Sequence, residues 1–127
     1  MSIEIAFHAG YFSDVLLYQS ALKKLKKDNI SFTTENYIKN AQTILNTNLP
    51  ESIFPKMAFL LESICLVNQV VPKQSAFFNL EDGLFQWVET TADVGTTVAM
   101  NFELAEALAI REDLNLDGYT VAFRAFQ

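Results

Sequence analysis

Ala76-Phe77-Phe78-Asn79-Leu80-Glu81-Asp82-Gly83-Leu84-Phe85-Gln86-Trp87-Val88-Glu89 places an Asp-Gly pair between two β-favouring runs. That spacing predicts a β-hairpin, because both central residues of a type I′ turn need positive φ and Asp-Gly tolerates it. A two-residue loop at Asp82-Gly83 sets Leu80 opposite Phe85 and Phe78 opposite Trp87, all on one face. Such aromatic cross-strand pairs add about 0.2–1 kcal/mol each, and the face that carries them is expected to be buried.

Downstream, Leu114-Asn115-Leu116-Asp117-Gly118-Tyr119-Thr120-Val121 repeats the turn chemistry. A second hairpin there would pair Leu116 with Tyr119 and Leu114 with Val121, although two matching turns are too few to define a repeated fold. Between the Asp-Gly pairs, Thr96–Phe102 fits strand or helix. The Ala, Leu and Glu content of Phe102–Asp113 favours a helix, with Asn101 as its N-cap. Tyr119–Phe126 reads as a strand inside the sheet.

Upstream, Ile3, Ile5 and Phe7 alternate with Glu4, Ala6 and His8, the pattern of a short strand ended by Gly10. A first helix is expected from Ser13 as N-cap, with Val15, Tyr18, Leu22 and Leu25 at helical spacing. Lys23, Lys24, Lys26 and Lys27 crowd its last turns, where cations complement the helix dipole. A second helix starts at Thr33 or Thr34, carries Tyr37, Ile38, Ala41, Ile44 and Leu45 on one face, and ends at Asn46, Asn48 and Pro50. A third starts near Ser52, tolerates Pro55 in its first turn and stops before Pro72. It is apolar around most of its circumference, as a central helix is. The expected fold is α+β: an N-terminal strand and three-helix layer packed on an antiparallel sheet formed mainly by the C-terminal half.

The 127 residues fit one domain, 1–127, and a 50% hydrophobic content with eleven Phe excludes a disordered chain. Residues 1–7 have no basic n-region and no long apolar h-region, so no signal peptide is expected. Pro55, Lys56, Glu62, Asn68 and Gln69 interrupt the most apolar stretch, Ile53–Val71. Its uninterrupted runs fall far short of the ~20 residues that span a bilayer, so no membrane association is expected. One cysteine, Cys65, excludes an internal disulfide, and its apolar neighbours predict a buried thiol in a reducing, cytoplasmic compartment.

Motifs that would carry chemistry are weak. Asp113-Leu114-Asn115-Leu116-Asp117-Gly118 matches the opening of an EF-hand-type calcium loop, but position 12, which should supply a bidentate carboxylate, is Arg124. His8 is the only histidine, and Cys65 lies in the most apolar helix, where a thiolate is costly. Glu103 and Glu106 are three apart and share a helix face, as a general acid/base pair would, yet solvated helices show that spacing constantly. Gly10, Gly83, Gly95 and Gly118 are isolated, without a phosphate-binding signature. No catalysis, cofactor or metal is expected.

Charge is the remaining signal. Residues 1–73 hold seven Lys/Arg and six Asp/Glu, whereas residues 74–127 hold two and nine. The second half therefore carries −7 against +1 in the first. A field of one sign bears on partners rather than on fold. It disfavours direct nucleic-acid binding and points to a basic protein surface, such as that of a nuclease toxin or a nucleic-acid-binding protein. The expected function is that of a stoichiometric inhibitor or immunity-type protein, with Glu81, Asp82, Glu103, Glu106, Glu112, Asp113 and Asp117 as the contact residues. The alternatives are a homo-oligomeric structural or scaffold component, and a small enzyme or ligand-binding domain with a Phe-lined pocket. Charge alone also serves solubility. The expected state is a monomer or small homo-oligomer.

Overall fold

A computed structural model of the chain describes residues 7–17 and 32–126. Residues 12–17 are helical, followed among the described residues by α1 (Phe32–Leu45) and α2 (Ile53–Val67). A hairpin of β1 (Pro72–Leu80) and β2 (Gly83–Thr90) comes next, then α3 (Val94–Ile110) and β3 (Tyr119–Ala125). The protein is α+β. The expected strand at Ile3–Phe7 falls mostly outside the described residues, and Phe7 and His8 are in a helical turn. Lys23–Lys27, with the later turns of the expected first helix, also lies outside them.

The sheet order is β1-β2-β3, and the sheet is mixed rather than wholly antiparallel. β1 pairs antiparallel with β2. β3 runs parallel to β2, with Leu84 opposite Tyr119 and Thr90 opposite Ala125. Asp117-Gly118 therefore makes no second hairpin. α3 leaves the end of β2, runs back along the sheet and returns the chain to the start of β2, as a parallel connection requires. The helix also begins earlier than expected. Asp93 is its N-cap, accepting from Thr96 N at 2.7 Å, and this hydrogen bond holds the Asp93 carboxyl below the usual carboxylate range. Asn101 sits mid-helix instead of capping it.

The first turn differs from a type I′ loop as well. Its two linking residues are Glu81 and Asp82, neither of which has positive φ; Gly83 alone takes φ +134°. An L-residue with a side chain avoids that region, so the strain moves onto the glycine. Register shifts by two residues: Phe78 faces Phe85, and Ala76 faces Trp87. A shift of two keeps every side chain on its face.

That face is the outer one. Leu84, Gln86, Val88 and Thr90 of β2 are buried against the helices, while Phe78 and Leu80 are 45% and 57% exposed and Phe85 and Trp87 half-buried. The expectation that the aromatic pairs would be buried fails, because β2 presents its even-numbered residues to the core. The core joins these to Tyr119 and Phe123 of β3, Met57, Leu61 and Ile64 of α2, and Met100 and Leu104 of α3. An aromatic chain ties the N-terminal segment in: Phe7–Phe12 at 5.2 Å, Phe12–Phe54 at 5.0 Å and Phe54–Tyr119 at 5.4 Å between centroids. Each such pair contributes about 0.5–1.5 kcal/mol beyond its area.

Gly83 and Gly118 meet backbone to backbone. A Cβ on Gly83 would lie 2.6 Å from the Gly118 Cα. Gly83→Ala should therefore cost about 2–4 kcal/mol, combining positive-φ strain with a clash, read as a lower urea midpoint. Inside, the Tyr119 hydroxyl donates to Gln86 Oε1 at 2.5 Å, and burial pushes its phenol well above the usual tyrosine range. An acid whose folded pKa is raised stabilises the fold fully below its unfolded pKa, about 10 for tyrosine. That share is lost as pH climbs from there. Urea midpoints should fall above pH ~10, with a shallower decline in Tyr119→Phe.

Candidate functional site

Seven carboxylates were expected to form the site, and the fold divides them. Glu81 and Asp82 form the hairpin tip, and Asp117 precedes Gly118 at the entry to β3. Leu84 N donates to Gly118 O at 2.7 Å, which locks the two turns together. A methyl on Gly118 would meet the Asp82 carbonyl oxygen at 4.0 Å. Two segments 35 residues apart in number, from Asp82 to Asp117, thus bring three exposed carboxylates to one end of the sheet. Among the described residues none of the three joins an ion pair.

The other four are differently placed. Glu103 is half-buried and accepts from Asn68 Nδ2 at 3.2 and 3.4 Å, tying α3 to the C-terminal cap of α2. Its role is to hold two helices together. Glu106 and Glu112 are exposed, on α3 and just beyond it. Asp113 is gripped by Arg111, whose Nε and Nη2 donate at 3.0 and 3.1 Å, with Lys56 Nζ at 3.8 Å. The Arg111 hydrogen bond holds its carboxyl below the usual range. These contacts largely neutralise Asp113 and leave the hairpin tip and Asp117 as the uncompensated part of the acidic end. They also commit the first residue of the calcium-like loop to cations of the chain itself. Among the described residues, no group of three or more His, Cys, Asp or Glu is placed to hold a metal ion.

Beside the acidic end lies the outer sheet face, which the sequence reading missed as a surface. Phe85 and Trp87 pack at 4.8 Å, and the Arg124 guanidinium sits over the Trp87 ring at 5.5 Å. Arg124 Nη2 is 2.8 Å from Glu89 Oε1, and Gln74 Nε2 donates to Glu89 Oε2 at 2.6 Å. The far end of this face is therefore electrically closed, whereas the end with Phe78, Leu80, Glu81 and Asp82 is open. Alternation in β2 was the available signal: once Leu84 and Val88 face the core, Phe85 and Trp87 must face out.

Cys65 and His8, the candidate nucleophile pair, lie in different settings. Cys65 is buried, and burial, then Glu62, push its thiol up, away from the thiolate a nucleophile needs. His8 is exposed, with Nε2 3.3 Å from the Tyr37 hydroxyl and no contact to Cys65 among those seen. The cavity among Phe7, Phe12, Phe54, Phe77, Gln86 and Tyr119 is about 20 Å³, the room of one water, and an open cleft of about 270 Å³ lies among Val94, Thr97, Val98, Phe123, Arg124 and Ala125. No helix among the described residues is long and apolar enough to cross a membrane. Comparison with protein-family models, with curated proteins and with solved structures finds no match.

Cys65 should react with an aromatic disulfide reagent about 100-fold more slowly in the native protein than in urea. A stopped-flow trace of equal rates in the two states would contradict its burial.

Proposed function

We propose that this chain is a protein-binding protein that acts without catalysis, covering a basic surface of its partner as a stoichiometric inhibitor or immunity-type protein does. The observation that carries this reading is the meeting of Glu81, Asp82 and Asp117, uncompensated, beside the exposed side chains of Phe78 and Leu80. Interfaces draw most of their affinity from a few apolar anchors that lose water on contact, with a polar rim around them. Here the sheet supplies the anchors and the turns supply a rim of one sign. Carboxylates at that rim occupy the positions that phosphates take on a nuclease or nucleic-acid-binding protein, and the field of the −7 half accelerates encounter. A reducing, cytoplasmic setting fits the single buried thiol. Glu106 and Glu112 extend the charge; Glu103 and Asp113 are occupied within the fold.

The test is titration against a panel of purified basic nucleases and DNA-binding proteins at about 0.05 and 0.5 M salt, where screening differs severalfold. A partner should bind more than about tenfold tighter at the lower salt, and Asp82→Lys with Asp117→Lys should remove a similar factor. Phe78→Ala should weaken binding at both salt concentrations. A bound partner indifferent to salt and to these substitutions would sink the reading.

A further inference from the structure

The sheet has two edges, and the chain interrupts one of them at its middle. Along β3, the Asn101 amide donates to Phe123 O at 3.0 Å and accepts from Phe123 N at 2.8 Å, so at this residue a helix side chain stands where a further strand would pair. Along β1 nothing comparable exists: among the described residues, no backbone group of Pro72–Leu80 bonds on the side away from β2. Nine residues amount to about 30 Å of strand edge. Pro72, Lys73 and a register shift between Pro72 and Gln74 blunt one end of it, whereas Ser75–Leu80 carries no proline and no charge. Edge strands are normally blunted by prolines, charges or cover, because open ones template further pairing.

We infer that β1 pairs antiparallel with β1 of a second copy across a two-fold axis at Phe77, giving a six-stranded sheet. The turn selects the register. Leu80 and Gly83 flank the two-residue loop and face each other, so Ser75, Phe77 and Asn79 direct their backbone groups outward. An axis at Phe77 then sets Ser75 opposite Asn79. Charge selects the occupant. Lys73 lies at the register shift near one end of β1 and Glu81 in the turn just past the other, so the two-fold brings Lys73 of each copy toward Glu81 of the other. A basic segment from a different protein would meet Lys73 with no acid within the strand to offset it. An isologous contact at β1 uses that edge on both copies and so closes at two, while Asn101 interrupts the β3 edge at Phe123. This inference shares Glu81 with the partner-binding reading, but self-association of the chain alone tests it without any basic partner, so the two can fail separately.

Sedimentation equilibrium of the full chain from about 1 to 500 μM, a range suited to modest interfaces, provides the test. A reversible dimer with no larger species is expected. Lys73→Glu should raise its dissociation constant about tenfold, since it replaces two attractions by two repulsions. Combining it with Glu81→Lys should restore dimerisation, a swap that mere loss of folding would not rescue. Amide exchange at Ser75, Phe77 and Asn79 should slow with rising protein concentration in the wild type. A monomer throughout, open-ended assembly, or a dimer that Lys73→Glu leaves unchanged overturns the inference.

Discussion

Parallel pairing of β3 with β2 is the constraint on which the rest of this molecule depends. It begins where Leu84 N meets Gly118 O, at a point where two backbones approach more closely than any side chain would allow. Because the strands run the same way, the chain between them must travel the length of the sheet, and α3 is that passage. The helix then covers the inner face through Met100 and Leu104, and its return loop buries Leu114 before delivering Tyr119 to the core. An antiparallel return would have needed only a short turn. It would have left the core without Met100 and Leu104.

The same geometry assembles the surface. A parallel connection brings the end of the helical passage back to the end of the sheet at which the hairpin turns, so Asp117 joins Glu81 and Asp82 there. Charge that is diffuse in sequence becomes local because two glycines touch. At the opposite end, Arg124, Glu89 and Gln74 satisfy one another over Trp87. One face thus has a neutralised end and an acidic end, with aromatic side chains between.

Much of the fold was legible. α1 follows its helical periodicity to within a residue or two, and α2 starts where expected but ends at Val67, short of the stop at Pro72, because Asn68 caps it and Gln69 takes φ +56°. Asp82-Gly83 marked the hairpin, though not which residues would link it, because Gly83 could take positive φ either inside the loop or just after it. Asn101 looked like a cap by residue type. Asp93, eight residues earlier, won because its carboxylate reaches Thr96 N, which freed Asn101 to bond β3. Of the candidate acids, Glu81, Asp82 and Asp117 were legible as turn residues, but nothing local distinguished them from Glu103 and Asp113. Those two are consumed by Asn68 and Arg111, partners that only folding brings within reach or orients.

Local chemistry, then, determined the α+β composition, the positions of the helices and hairpin, the burial of Cys65 and the acidic bias of the second half. These follow from periodicity, turn residues and counting, which act over a few residues at a time. Tertiary structure decided the direction of β3, the face on which the Phe78–Phe85 pair would lie, and which carboxylates would remain unpaired. A strand shows the same alternation whether its neighbour runs parallel or antiparallel, and both faces of β2 carry large apolar side chains. Only the helices packed on Leu84 and Val88 resolve that choice, by removing one of two nearly equivalent faces from water.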